Sequence, residues 1–559
     1  MTKYIIIIIA VILVSVNAYA TDLYVDTTAG ACTGNYSISS RDCSGSDGNS
    51  YATVQAAITA MSGGDDIYLR GGTYLPLQLT GNSASGEVGI PQSKDGSSEN
   101  WSSIQSYPGE WAILDGDNKC GARGAVLGLR DWDKDGATDI KYWKFERLEI
   151  TGGASTDLSA ASGIWGNGGP FIVRYCYIHD NLANTGGANP CGIKGMVWED
   201  STVEYNYFKD NGSNGSSNEI HSVTGPQIHS DYLDGVANWE SAPVDFDHAT
   251  KNNTIQYNLF NNANSYAYSG IHYKSRQYLT PKTNVSWTYE DQGDKIHHNI
   301  FLNHLRSIGL QQDFAQVYNN IMVTPTSTSS QIGITVVDDQ GWAGQVATVI
   351  YNNTLIKGRL LHNFGYSTYV VNPYIYIYNN LFDQAPANGD GSAVIDIGDH
   401  YMQTTFTYES ARVDLTNNYL YRGSSTDIRV TRNTGGCYSY LSPSEYDACN
   451  TETNYNKTSS EGSDNLYSSG YLTRGAHVVE GAVTIAGGGH GGSHPYLDGV
   501  TLPSYIGATN PDDNDWVAGV LALDVSYFTS QTAGSDPTWI EGESEPEVPA
   551  NAIQGVSIQ

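Results

Sequence analysis

Hydrophobic and polar positions through the middle of the chain follow one short pattern: β-forming apolar residues, then Asn, then two or three apolar residues. The copies run Val203–Phe208, Ile255–Phe260, Ile296–Phe301, Val317–Met322, Val349–Leu355, Ile377–Phe382 and Val413–Leu420, and their constant residues are Asn206, Asn258, Asn299, Asn320, Asn353, Asn380 and Asn418. The intervals between those asparagines are 52, 41, 21, 33, 27 and 38 residues. A unit with a minimum length that grows by insertion is the mark of a solenoid whose coils keep their strands and vary their turns. Asn at one corner of each coil tolerates a left-handed backbone and can hydrogen-bond to the Asn of the next coil.

A second strand is predicted between successive corners. Nine segments align on an apolar residue: Ile164, Ile193, Ile228, Ile271, Ile308, Ile334, Leu361, Ile395 and Ile428. Because side chains alternate along a strand, these residues point inward and the first and third residues after each point outward. Stacking then builds one outward column of Trp165, Lys194, His229, His272, Gly309, Thr335, His362, Asp396 and Arg429. The other holds Asn167, Met196, Asp231, Lys274, Gln311, Val337, Phe364, Gly398 and Thr431. With parallel strands about 4.8 Å apart, Lys194, His229, Asp231, His272, Lys274 and Gln311 share a patch about 15 Å long. The insertion from Lys209 to Lys251 adds His221, Asp234 and Trp239, the last a candidate flat wall for a bound ligand.

The ends read differently. Tyr51–Met61 is amphipathic through Val54, Ala57, Ile58 and Met61, a helix suited to closing the open apolar end of a first coil, while Asp65–Tyr74, Ile104–Gly109 and Ala112–Gly116 read as early coils. Met1–Ala20 has a Lys, an apolar run and a small-residue ending, which predicts a signal peptide cut after Ala20. The division expected is therefore 1–20 signal peptide, 21–500 parallel β-helix, 501–540 C-terminal cap over the far end and 541–559 acidic tail or linker. Export, to the outside or to a periplasm, follows from the leader. An all-β sandwich would need evenly spaced hairpin signals, and none is found.

Composition narrows the partners. Of 559 residues 59 are acidic and 28 basic, a formal charge of −31, which argues against nucleic acid and against anionic membrane surfaces. Charged residues reach only 16%, while Gly contributes 61 and Tyr 40, so the surface polarity is mostly neutral. The seven cysteines pair by proximity as Cys32 with Cys43, Cys176 with Cys191 and Cys437 with Cys449, leaving Cys120 alone. Asp131, Asp133, Asp135 and Asp139, with Gly136 at the bend, follow the pattern of loops that wrap Ca²⁺ in carboxylate oxygens. Lying several coils before the basic patch, such an ion would be structural.

The Asn repeat and stacked strands resemble the right-handed parallel β-helix of the pectate-lyase-like superfamily over most of the chain. Ile271–Ser275, with its Lys followed by Ser, is similar to the strand that supplies the base in alginate and chondroitin lyases. The next coil there carries an Arg, a place taken here by Gln311, with Arg306 at the strand start and Arg276 just past Lys274. Lys194 beside His229 is similar to fucoidan lyases of this fold. The resemblance implies a secreted, monomeric polysaccharide lyase acting on an acidic polysaccharide by β-elimination. Lys274 or Lys194 would be the base and His229 or His272 the acid. Gln311, Arg276 or calcium on Asp231 would neutralise charge, and Arg306, Trp239 and His362 would contact substrate. A glycoside hydrolase of the same fold would instead need a carboxyl pair about 5–5.5 Å or 6.5–9.5 Å apart, for which Asp231 with Asp234 and Asp338 with Asp339 are the candidates. A noncatalytic adhesin predicts no basic cluster.

Overall fold

The computed structural model describes residues 21–120, 124–129, 140–154, 162–182, 191–212, 217–224, 252–263, 267–275, 294–310, 315–323, 332–338, 347–356, 359–364, 374–383 and 393–398. Beyond these it describes 412–416, 419–421, 426–431, 439–441, 455–456, 477–478, 505–508, 515–531 and 537–540. The leader, the Asp131–Asp139 loop, Cys437, Cys449 and the tail lie outside the described residues.

The chain winds into a parallel β-helix, as the repeat predicts. Three parallel sheets of 14, 11 and 12 strands run its length among the described residues, with an antiparallel pair at one edge of the third. We call these the first, second and third sheets. In each coil a strand of the first sheet, such as Thr254–Gln256, turns through the Asn corner into the second, Leu259–Asn261, and then reaches the third, Ala267–Ser275. Inward residues form one continuous apolar core from Leu23 to Ile395, including stacked Phe208, Phe260 and Phe301 at ring separations of 4.8 and 4.6 Å. At the N-terminal end the helix Val54–Ala60 buries Val54, Ala57 and Ile58 against the first coil, its N-cap Thr53 accepting from the Ala56 N–H. Cys32–Cys43 is a disulfide, as expected, but Cys176 and Cys191 are separate buried thiols, as is Cys120. Cys176 faces the core between the first and second sheets and Cys191 opens a strand of the third, so closeness in sequence does not bring them together.

The asparagines stack as predicted. Each side-chain amide donates to the Oδ1 of the next, Asn206→Asn258→Asn299→Asn320→Asn353→Asn380, every step 3.0 Å. The same Oδ1 atoms also accept the backbone N–H of the preceding coil's Asn. The left-handed backbone, however, belongs to the residue before the ladder Asn: Tyr205, Tyr257, His298, Asn319, Asn352 and Asn379 have φ of 50–55°. The Asn is needed for its amide, which reaches across the corner to buried backbone groups that no strand satisfies.

The segment expected to cover the far end lies instead along the flank. Gly507 donates to the Asn379 carbonyl and Ala508 to Thr354 Oγ1. The helix Asp515–Leu521 sets Trp516 against His298 and Tyr257, and Phe528, in the helix Val525–Ser530, stacks on Trp111 at 5.9 Å. From Leu381 back to Ile113 this run spans eight strand steps of the second sheet, about 38 Å at 4.8 Å each. It covers an outward row that is apolar, Leu259, Ile300 and Ile321, which explains why the residues directly after Asn258, Asn299 and Asn320 are hydrophobic although they point away from the core.

Candidate functional site

The third sheet carries the basic cluster. Its outward row reads Gly128, Trp165, Lys194, His221, His272, Gly309, Thr335, Leu361, Asp396 and Arg429 from strand to strand. Two predicted positions change. The sequence Ile-His-Ser occurs at both 220–222 and 228–230; it is His221, in the strand Ser217–Thr224, that stands between Lys194 and His272. In the Arg359–Phe364 strand Leu360, not Leu361, takes the inward register with Ile334 and Ile395. His362 therefore lies opposite Val336 and Ile397 on the inward parity and leaves the row. The second column keeps Asn167, Met196 and Lys274, with Val223 where Asp231 was expected. His229, Asp231, Trp239, Arg276 and Gln311 lie outside the described residues.

The row is more enclosed than a solvent-facing wall. Trp165 and Lys194 expose only 3% and 2% of their surfaces, and the Lys194 ammonium lies 5.8 Å from the Trp165 ring centre. An aromatic face beside an ammonium attracts it through the ring quadrupole. His272 is half-buried on the strand two steps further on.

Arg306 comes to this row from the first position of the strand Arg306–Leu310. Its Nε donates to Ser269 Oγ at 2.7 Å, on the strand that carries His272. A Cβ placed on Gly309 would sit 2.9 Å from Arg306 Nε and 3.1 Å from His272 Cδ2. Only a residue without a side chain therefore lets the guanidinium and the imidazole approach over the same point. Lys274, two residues beyond His272, holds the next position of the same outward parity, opposite Val223. Lys194, His221, His272, Lys274 and Arg306 thus hold positions on four consecutive strands, three steps or about 14 Å. Such a group can hold a carboxylate or sulfate, exchange protons with a sugar, and stabilise negative charge developing on a reacting carbon.

Among the described residues no group of three or more His, Cys, Asp or Glu could hold a metal ion. The carboxylates of Asp131, Asp133, Asp135 and Asp139 are a donor set suited to a hard cation such as Ca²⁺.

Sequence reasoning missed a second ordered row, on the first sheet. It runs Tyr68, Gln105, Glu146, Arg174, Glu204, Gln256, His297 and Tyr318. Arg174 pairs with Glu146 at 2.6 Å, and Gln256 donates to Glu204 at 2.7 Å. Burial works to lower the Arg174 pKa, but the charge of Glu146, its hydrogen bond and the charge of Glu204 leave it raised. Each charge there is answered by the next rung, so the row reads as structural.

No family model matches the chain, and no curated protein matches it. Among solved structures, similarity is found to the pectate lyase Pel9A, with 14% identity over 66% of this chain and 78% of that one and a TM-score of 0.35. An alginate lyase from Paenibacillus sp. is 13% identical over 75% of this chain and all of its own, with a TM-score of 0.35. PfbA, a surface adhesin of Streptococcus pneumoniae, is 13% identical over 68% and 89%, with a TM-score of 0.44.

Proposed function

We propose that the chain is a secreted polysaccharide lyase that cleaves an acidic, uronate-containing polysaccharide by β-elimination. The observation that supports this reading is the register that puts Lys194, His221, His272, Lys274 and Arg306 on four consecutive strands of one sheet in a chain whose formal charge is −31. In such a reaction a base removes the C5 proton, the C4–O4 bond breaks as a C4–C5 double bond forms, and an acid protonates the departing O4. Lys274 is the base, since it continues the outward row past His272 whereas Lys194 is enclosed against Trp165. His272 is the acid. Arg306, fixed by Ser269 beside His272, neutralises the uronate carboxylate and so acidifies C5. Lys194 and His221 add positive field, which lowers the proton affinity of a neighbouring amine and suits it to serve as base. Calcium on Asp131, Asp133, Asp135 and Asp139 would have a structural role.

The test is a panel of alginate, pectate, a glycosaminoglycan and a sulfated fucan, each scored for ultraviolet absorbance of a conjugated unsaturated uronate and for new reducing ends, with and without chelator. Both signals rising together on a uronate polymer are expected. Reducing ends without absorbance would replace elimination with hydrolysis, and neither signal on any polymer would remove the enzymatic reading.

A further inference from the structure

Thr335 stands in the outward row of the third sheet with Gly309 opposite it on one side and Leu361 on the other, so neither neighbour in the row brings a polar side chain to it. The residue is 3% exposed, and among the described residues its Oγ1 is buried without a hydrogen-bond partner. Nearly every buried hydroxyl in a folded protein has a partner, and leaving one without costs stability. Valine has the same shape and carries no such cost, so the fold alone gives no reason for threonine here.

The neighbouring rung supplies what the hydroxyl lacks a ligand to share. Arg306 Nε and Cζ lie 2.9 and 3.0 Å from where a Cβ of Gly309 would be, and His272 Cδ2 lies 3.1 Å from it, so the guanidinium takes the place of the missing side chain. That place is one strand step, about 4.8 Å, from Thr335. Ser269 Oγ accepts the Arg306 Nε–H and so fixes the direction of the fork. Arg306 and His272 are both only half-buried, which leaves this point a way in from solvent. A carboxylate seated there spans the gap: a guanidinium N–H reaches one oxygen at about 2.8 Å and a hydroxyl reaches the other at about 2.7 Å.

We infer that Thr335 is a substrate-binding residue: its hydroxyl and the Arg306 guanidinium together hold the carboxylate of a uronate over Gly309. The inference rests on the proposed action on a uronate polysaccharide and adds to it the residue that selects the acid group. The ligand oxygen is the acceptor that the fold withholds, so stability given up in the free protein returns as affinity for a carboxylate, the trade common at functional sites. Gly309 is the companion requirement. The three atoms nearest its absent Cβ belong to the movable ends of Arg306 and His272 rather than to backbone, so Gly309→Ala folds and displaces the guanidinium.

The experiment compares the full wild-type chain with Thr335→Val, Thr335→Ser and Gly309→Ala on oligosaccharides prepared from alginate, pectate and a glycosaminoglycan. Affinity is taken by calorimetry where an oligosaccharide is not cleaved and as KM with kcat where it is, and thermal midpoints are recorded without ligand. Thr335→Val should melt at or above the wild-type temperature yet bind a uronate oligosaccharide at least about tenfold more weakly. Thr335→Ser, which keeps the hydroxyl, should recover most of that loss, and Gly309→Ala should lose at least as much as Thr335→Val. A lower midpoint in Thr335→Val, an affinity unchanged in Thr335→Val or Gly309→Ala, a Thr335→Ser chain as weak as Thr335→Val, or a wild-type chain that binds none of the oligosaccharides would each overturn the assignment. The expected losses without any unsaturated product keep the subsite and remove the lyase, whereas product formed by Thr335→Val with wild-type kcat and KM keeps the lyase and removes the subsite.

Discussion

Asn299 lies wholly inside the corner, and replacing it by Asp changes one NH₂ group for an oxygen. That NH₂ donates to the Ile255 carbonyl at 2.8 Å, the His297 carbonyl at 2.9 Å and Asn320 Oδ1 at 3.0 Å. Asn299→Asp therefore turns a carboxylate oxygen toward three acceptors in a fully buried site, and the acid must stay protonated for the coil to remain closed. Holding a group of ordinary pKa about 3.9 neutral at pH 7 costs about 4 kcal/mol, and the lost donor adds about 1–2 kcal/mol. The folded pKa of the introduced acid is raised, so the deficit is small below pH 4 and grows as pH rises. Asn299→Ala instead leaves the Asn258 N–H without its acceptor and should cost about 3 kcal/mol at every pH. Guanidinium unfolding midpoints, each taken as the difference from wild type between pH 4 and pH 7.5, separate the two behaviours. An Asn299→Asp deficit below about 1 kcal/mol, or one that does not change with pH, would refute the view that the ladder amides act as buried donors.

Other consequences follow from buried groups. His304 is enclosed, and burial pushes its pKa down to about 3, so it stays neutral in the fold but protonates in the unfolded chain below about 6.5. Stability should therefore be complete above pH 6.5 and fall by about 2 kcal/mol from this residue between pH 7 and pH 5, a slope that His304→Gln removes in pH-dependent denaturation. Arg174→Leu leaves the buried Glu146 with only the more distant Arg147 at 3.8 Å and should cost about 3 kcal/mol by equilibrium denaturation, whereas replacing both Arg174 and Glu146 with apolar residues should cost less. The acidic chain repels polyanions, so activity should rise from low to moderate salt as that field is screened, and a steady fall from the lowest ionic strength would contradict it.

Much of the solenoid was legible because its physics repeats. Asn206 to Asn380 mark a corner where buried backbone groups need an amide, and seven of the nine aligned apolar residues hold the inward register of the third sheet. The two failures have local causes. Leu360 and Leu361 are both apolar, so alternation cannot choose between them. Ile220 and Ile228 head identical triplets, although Asn211 precedes Ile220 by the same interval as Asn262 precedes Ile271, a signal that identifies the strand. Arg306's approach to His272 was hidden because it depends on the missing side chain at Gly309 one strand step away, and no local pattern reports that. The flanking position of the C-terminal helices was written in Leu259, Ile300 and Ile321, the apolar residues after Asn258, Asn299 and Asn320, which have no purpose on a bare outer face.

The account rests on the third sheet's register placing its bases on one wall around His272. The most direct measurement is kcat/KM on whichever anionic polysaccharide yields the unsaturated product, for Lys274→Met and His221→Gln, with thermal midpoints verifying that each remains folded. A loss of at least about a hundredfold in Lys274→Met and a smaller but clear loss in His221→Gln is predicted. Wild-type rates in a folded Lys274→Met chain would contradict it.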